Sequence, residues 1–388
     1  MKEVNQKNAY LVLSNGKVFK GQSFGHDEEI IGEVVFTTAM SGYLETLTDP
    51  SYFGQIVTMT FPLVGNYGVI QEDFESGQVW PRGFIVKYPC KNPSNFRSQG
   101  DLDTLLKKHK VTGICNFDIR ALTKILRNEG AMGGKILFRE PTKADIEEAK
   151  KFKILNAISN VSMKDTHQGT CQDEGVNVGV SNANPNKIDN NNAGAANNGR
   201  QVAAPITPQL KVALLDTGTK RAIMRLLTER GCEVKKFPFN ATAEEILAFK
   251  PDGIMLSPGP GDPSEKANEI IIKTVEKLSK SGVPIFGICM GHLLLATANG
   301  LKTRKLKFGH RSSNQPVKDL SNGKVYITSQ NHGYEVVCKN PWLVNVNDNS
   351  CEGIDYGKSF SVQFHPEAHS GPHDTMFLFD KFVERMKK

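Results

Sequence analysis

Two different rhythms of apolar and polar positions divide the chain. Residues 9–20, AYLVLSNGKVFK, place two apolar runs around Asn15-Gly16, a dipeptide suited to the tight turn of a β-hairpin, and predict that hairpin. Strand-type sequence continues to about residue 70, including GEVVFTTAM and GQIVTMTF. Residues 101–109 (DLDTLLKKH) and 119–129 (IRALTKILRNE) carry apolar side chains at helical spacing. From Lys211 the rhythm changes to strand, helix, strand. KVALLDTG, CEVKKFPF, GIMLS and VPIFGI read as strands; RAIMRLLTER, AEEILAF and ANEIIIKTVEKLSKS read as the helices between them. The expected fold class is α/β: a C-terminal, mostly parallel sheet covered by helices on both faces, preceded by a smaller mixed α+β domain. Ligands of such sheets sit beyond the carboxyl ends of the strands.

Between these parts, residues 165–208 are rich in asparagine, glycine and alanine and nearly devoid of large apolar side chains. Such a segment cannot bury enough surface to offset the entropy of ordering and reads as a linker. The expected domains are therefore 1–160, a linker at 161–208, and 209–388.

A length of 388 residues fits two or three domains at roughly 100–200 residues each. Lysine and arginine number 48 against 41 acidic residues, a net charge of +7 spread along the chain. No basic block marks a nucleic-acid face, so no nucleic-acid partner is expected. The seven cysteines are odd in number, and no CxxC pair occurs, which argues against a disulfide framework and a structural zinc site. The N-terminus lacks the apolar core of a signal peptide, and the most apolar stretch, Val283 to Ala298, is broken by Pro284, Gly287, Gly291 and His292. A soluble, cytoplasmic protein without membrane contact is expected.

The sharpest chemical motif is Gly287-Ile288-Cys289-Met290-Gly291, between a predicted strand and the helix HLLLATA. It is the cysteine form of a nucleophile elbow. The glycines remove β-carbons from a tight turn, and the helix N-terminus favours a thiolate. The amide of Met290 would be one oxyanion donor. The alternative is a small buried structural thiol. In FSVQFHPE, His365 and Glu367 stand two apart at a strand end, where period-2 geometry would put base and orienting carboxylate on one side. The alternative there is a surface turn. His365, His369 and His373 recur every four residues, but Pro366, Gly371 and Pro372 exclude the helix that would align them, so no metal site is expected. Ser257-Pro258-Gly259-Pro260-Gly261-Asp262-Pro263 is either a plain turn or a rigid loop for a second oxyanion amide.

Taken together, GICMGH, SPGPGDP and HPE resemble the class I, or triad, glutamine amidotransferases. The segments GEVVFTTAMSGYLETLTDPSYFGQIVTMTFPLVGNYGV, SNFR at Ser94 to Arg97, RALTKILRNEGAMGGKI, KFGHRSSNQPV, ITSQNHGYEV and FSVQFHPEAHSGPHDT narrow the resemblance. They are similar to the small, glutamine-hydrolysing subunit of carbamoyl-phosphate synthase, over nearly the whole chain except the linker. The resemblance implies Cys289 as nucleophile, His365 as general acid/base and Glu367 as its orienting carboxylate. It implies glutamine contacts from Ser51, Gly259, Gly261, Met290, Leu293, Asn331, Gly333 and Tyr334. The implied partner is a large ATP-dependent subunit that receives ammonia and makes carbamoyl phosphate for arginine and pyrimidine synthesis. ATP and magnesium would belong to that partner, with no cofactor in this chain.

Two departures stand out. The family pattern Gly-His-Gln reads Gly291-His292-Leu293 here, and leucine cannot hydrogen-bond to substrate. An unpaired polar group costs about 1–3 kcal/mol, so weaker glutamine binding is expected. Phe117-Asp118-Ile119-Arg120 has isoleucine where the family has threonine. Other readings are a triad amidotransferase serving anthranilate or GMP synthesis, a non-catalytic scaffold subunit, and a free-standing cysteine hydrolase.

Overall fold

The computed structural model describes residues 7–164, 210–368 and 370–388. The first unit contains β1 (Asn8–Leu13), β2 (Val18–Gly25), β3 (Ile30–Thr37), β4 (Gln55–Met59), β5 (Leu63–Val64), β6 (Gly83–Ile85), β7 (Tyr88–Pro89), β8 (Thr112–Cys115) and β9 (Met132–Leu137). Its helices are α1 (Tyr43–Thr48), α2 (Leu102–Lys108), α3 (Ile119–Glu129), α4 (Lys143–Lys151) and α5 (Ala157–Val161). β1 and β2 form the anticipated hairpin, with Val12 opposite Val18. Seven of the strands close a barrel in the order β1-β2-β8-β6-β4-β3-β9. That closure was not anticipated; it leaves these strands without a free edge. Alternate side chains feed two apolar clusters: Val34, Ile56, Ile85 and Ile114 join α3, whereas Val35, Val57, Phe84 and Cys115 join α1 and α2. Asp101 and Asp118 cap α2 and α3 by accepting from Thr104 and Ala121 N–H. Ile119, the second departure from the family pattern, is the buried first residue of α3.

The second unit contains β10 (Leu210–Asp216), α6 (Arg221–Glu229), β11 (Cys232–Pro238), α7 (Ala243–Ala248), β12 (Gly253–Leu256), α8 (Glu269–Ser279), β13 (Ile285–Ile288) and α9 (Met290–Ala298). There follow β14 (Lys302–Asp319), β15 (Val325–Val337), β16 (Leu343–Asn345), β17 (Cys351–Asp355), β18 (Phe360–Val362) and α10 (Phe377–Met386). One nine-stranded sheet runs β11-β10-β12-β13-β18-β17-β15-β14-β16. Its first five strands are parallel, and the rest continue antiparallel. Successive residues of β10 serve opposite faces. Val212 and Leu214 pack with α6 and α10, while Ala213 and Leu215 pack with α7, α8 and α9.

This topology sends the carboxyl ends of β10, β12, β13 and β18 to one edge of the sheet, and the barrel meets that edge. Thr38 N–H donates to the Arg311 carbonyl at 3.1 Å, and Arg221 N–H to that of Glu75 at 2.8 Å. Residues just past α5 also hold the second unit, since Met163 N–H donates to Asp216 Oδ2 at 2.9 Å. The expected linker, beyond its first four residues, lies outside the described residues. No helix among the described residues is long and apolar enough to cross a membrane.

Candidate active site

Cys289 caps the N-terminus of α9 with φ 52° and ψ −103°, an uncommon conformation for a residue with a side chain. Its N–H donates to the Val362 carbonyl of β18 at 2.9 Å, and Gly291 N–H donates to Ser257 at 3.1 Å. The turn is that tight because Gly291 lies against the Leu256 carbonyl, where a β-carbon would collide. Thus the sequence GICMG folds as an elbow because it combines a buried strand, a small residue at each contact and a helix that starts at once.

Neighbouring strands bring the other groups. His365 is tied to β15 by its N–H, which donates to Ser329 O at 2.9 Å. Its Nδ1 donates to Glu367 Oε1 at 2.7 Å. That pairing agrees with the sequence reading, but the geometry differs. β18 ends at Val362, and a turn through Pro366, not strand alternation, brings the carboxylate back. Nε2 is buried without a hydrogen-bond partner by geometry among the described residues, and the ring interacts electrostatically with Cys289. Cys289, His365 and Glu367 are each only 2% exposed.

The sequence reading missed Lys220, which is buried between β10 and α6 and donates to the same Glu367 oxygen at 2.7 Å. Burial disfavours its charge, but Glu367, Asp49 and Glu75 outweigh that and hold it protonated. Burial would raise the pKa of Glu367, yet Lys220 and His365 pull it down to about 2. Burial and Lys220 both lower that of His365, but the Glu367 carboxylate and the interaction with Cys289 prevail and raise it to about 10. The only sequence signal for Lys220 was its place at a strand's carboxyl end.

A cavity of about 440 Å³ opens beside Cys289 between the two units. Ser51, Gly259, Gly261, Met290, Leu293, Asn331, Gly333 and Tyr334, all singled out in the sequence, line it together. Glu33, Gln55, Lys305 and Arg311 line it as well and were not foreseen. The N–H groups of Met290 and Gly259 have no hydrogen-bond partner among the described residues, nor has the buried Ser51 hydroxyl. Asn331 Nδ2 donates to Asp49 Oδ2 of the barrel at 3.1 Å, and its carbonyl faces Cys289 Sγ at 3.7 Å. His365 lines a second, smaller cavity of about 50 Å³ with Asp49, Lys220 and Asn331.

His310, His332 and Glu352 bring three possible metal-ligand atoms within 4.8 Å behind this site. Burial lowers the pKa of His310, but Asp348 at 2.8 Å and Glu352 at 3.5 Å outweigh it and raise it to about 9. His310 Nε2 donates to Asp348 Oδ2. His373 is exposed, and His369 lies outside the described residues.

An elbow cysteine beside a histidine–glutamate pair and two backbone amides without partners among the described residues is the arrangement of a class I amidotransferase type of site. The family model for "Glutamine amidotransferase class-I" matches residues 213–385, and that for "Carbamoyl-phosphate synthase small chain, CPSase domain" matches residues 11–136. The carbamoyl phosphate synthase small chain of Clostridium perfringens is 44% identical over 383 residues, covering 97% of this chain and 99% of that one. That of Fusobacterium nucleatum is 44% identical over 390 residues, 98% of each. The pyrimidine-specific small chain of Bacillus subtilis is 42% identical, covering 97% and 95%. The chain belongs to the carbamoyl phosphate synthase small chain family.

Two predictions follow from the buried charges. Lys220→Met removes the buried ammonium shared by Glu367, Asp49 and Glu75 and should destabilise the protein by about 3–5 kcal/mol, read as a lower denaturant midpoint. An unchanged midpoint would refute the pairing. Because the folded pKa of His365 lies above its unfolded value of about 6.5, its contribution is complete below that pH and lost as pH rises through about 10. The stability gap between wild type and His365→Gln should therefore shrink from pH 6.5 to 10; a constant gap would contradict it.

Proposed function

We propose that the chain is the glutaminase subunit of a carbamoyl-phosphate synthase. The observation that carries this reading is the buried Cys289 at a strained elbow, facing a His365–Glu367 pair, in a cavity shared with unpaired amides. Cys289 Sγ attacks the side-chain amide carbon of glutamine. The N–H groups of Met290 and Gly259 meet the oxyanion, where two fixed donors act best in a dry site. His365 gives its proton to the departing nitrogen, which leaves as ammonia and a thioester remains on Cys289. The now neutral His365 takes a proton from water, whose hydroxide attacks the thioester and frees glutamate. Glu367, held by Lys220, keeps Nδ1 protonated so that Nε2 does the transfer.

The smaller cavity beyond His365 is read as the way out for ammonia, toward a large subunit that makes carbamoyl phosphate for arginine and pyrimidine synthesis. ATP and magnesium are assigned to that subunit, and no cofactor to this chain. No nucleic-acid or membrane partner is proposed, and the location is taken to be cytoplasmic.

Glutamate release from glutamine should be abolished in Cys289→Ala and should rise when a cognate large subunit is added. Ammonia-dependent carbamoyl phosphate synthesis without any glutamine hydrolysis in the wild-type complex would favour a scaffold role, for which Leu293 is the one supporting feature. Restoring a hydrogen-bonding side chain by Leu293→Gln should lower the KM for glutamine by roughly 5- to 30-fold. Equal KM values would overturn a substrate-facing role for position 293.

A further inference from the structure

Arg311 is one of the charged groups of the cavity that the triad chemistry leaves unused, with Glu33, Lys305, Asp262, Glu265 and the exposed Lys153. It lies on β14 opposite Asn331 of β15, and it is only 6% exposed. Nη1 donates to the Phe308 carbonyl at 2.7 Å, while Nε is buried without a hydrogen-bond partner among the described residues. Nη2 lies 3.5 Å from where a β-carbon on Gly333 would sit, so the guanidinium runs alongside that part of the cavity wall. No carboxylate among the described residues lies within ion-pair distance. Glu33 shares the cavity, but its two oxygens are taken by Lys305 at 2.6 Å and Gln55 at 3.1 Å. A guanidinium buried in this way is strongly disfavoured unless an anion completes it.

The ligand class follows from what the cavity already holds. The oxyanion has its own donors in Met290 and Gly259, and no hydrogen bond joins Arg311 to Cys289. Glutamine carries one permanent anion, its α-carboxylate, about 5 Å from the reacting carbon across four carbon–carbon bonds. Lys305 is a poorer anchor because it is half-exposed and already paired. Leu293, where the family has a polar side chain, contributes an apolar wall.

We propose that Arg311 receives the α-carboxylate of the substrate and thereby selects a carboxamide bearing that group over one without it. The inference rests on the glutaminase reading. A planar fork of N–H donors suits a carboxylate, and a charge-assisted pair of this kind is worth about 10- to 100-fold in affinity.

The test uses the full chain with Cys289→Ala, so that ligand is bound but not consumed, and titration calorimetry with L-glutamine and 4-aminobutanamide, its analogue without the α-carboxylate. Glutamine should bind at least about 10-fold more tightly than the analogue. Adding Arg311→Met should weaken glutamine by about 10- to 100-fold and the analogue by less than about 3-fold. Arg311→Lys, which keeps charge but loses the fork, should fall between. A preference for glutamine that survives both substitutions, or an equal loss for both ligands, overturns the assignment of Arg311. If Arg311→Met does not fold, the Arg311→Lys ratio decides in the same way. Failure of the chain to bind glutamine before any change at 311 removes the glutaminase reading itself.

Discussion

The backbone at Cys289 is the constraint from which the site is built. A side-chain-bearing residue at φ 52° and ψ −103° costs about 1–3 kcal/mol and survives only where its surroundings leave no alternative. Here the surroundings are a strand buried on both faces, a helix whose residues 290–296 are all buried, and a close approach at Gly291. The hydrogen bonds that lock the turn run to Val362 of β18 and Ser257 after β12. The strands on either side of the elbow are therefore the ones that carry the histidine–glutamate turn and the SPGPGDP loop. Strain at one residue and placement of three functional segments are the same structural fact.

Electrostatics then ties the barrel to this site. Lys220, Glu367 and His365 form a buried chain of alternating charge, and such a chain is stable only if every member is compensated. The second unit alone supplies one carboxylate, Glu367, for Lys220. Asp49 and Glu75, which also stabilise its charge, belong to the barrel. Asp49 additionally orients Asn331, and Ser51, Glu33 and Gln55 form the barrel's side of the large cavity. The N-terminal unit thus works as one wall and part of the counter-charge of the site.

Sequence patterns showed the parts whose causes are local. The hairpin at Asn15-Gly16, the helices near 101–109 and 119–129, the β/α alternation after Lys211 and the elbow all follow from neighbours in the chain. The β14–β15 hairpin was not legible as strands, because RKLKFGHRSSNQPVKD is polar and its register is interrupted by two irregularities. Barrel closure depends on β9 returning to β1, more than 120 residues away in sequence, and nothing local announces it. Lys220, Asp49 and Arg311 look like ordinary surface charges until long-range contacts bury them. His365 and Glu367 were paired by a strand rule, yet a proline turn makes the contact; residue spacing constrained the outcome more than the secondary structure did.

Leu293 also has a structural role. Leu293 belongs to the apolar cluster shared by α8 and α9, so its side chain secures the helix that begins at Cys289. Polar groups of the cavity come instead from the barrel, from β14 and β15 and from the loop after β12, among them Glu33, Gln55, Lys305, Arg311, Asn331 and Asp262. Glu33 lies on a strand paired on both sides, and Lys305 and Arg311 are paired with Tyr334 and Asn331 of β15, so their positions are set by the barrel and the sheet. Leu293 packs in its apolar cluster with Met290, Leu294 and Leu295, the residues that follow the strained nucleophile in the chain. The apolar residues that support the strained turn and most of the polar residues that line the cavity thus belong to different elements.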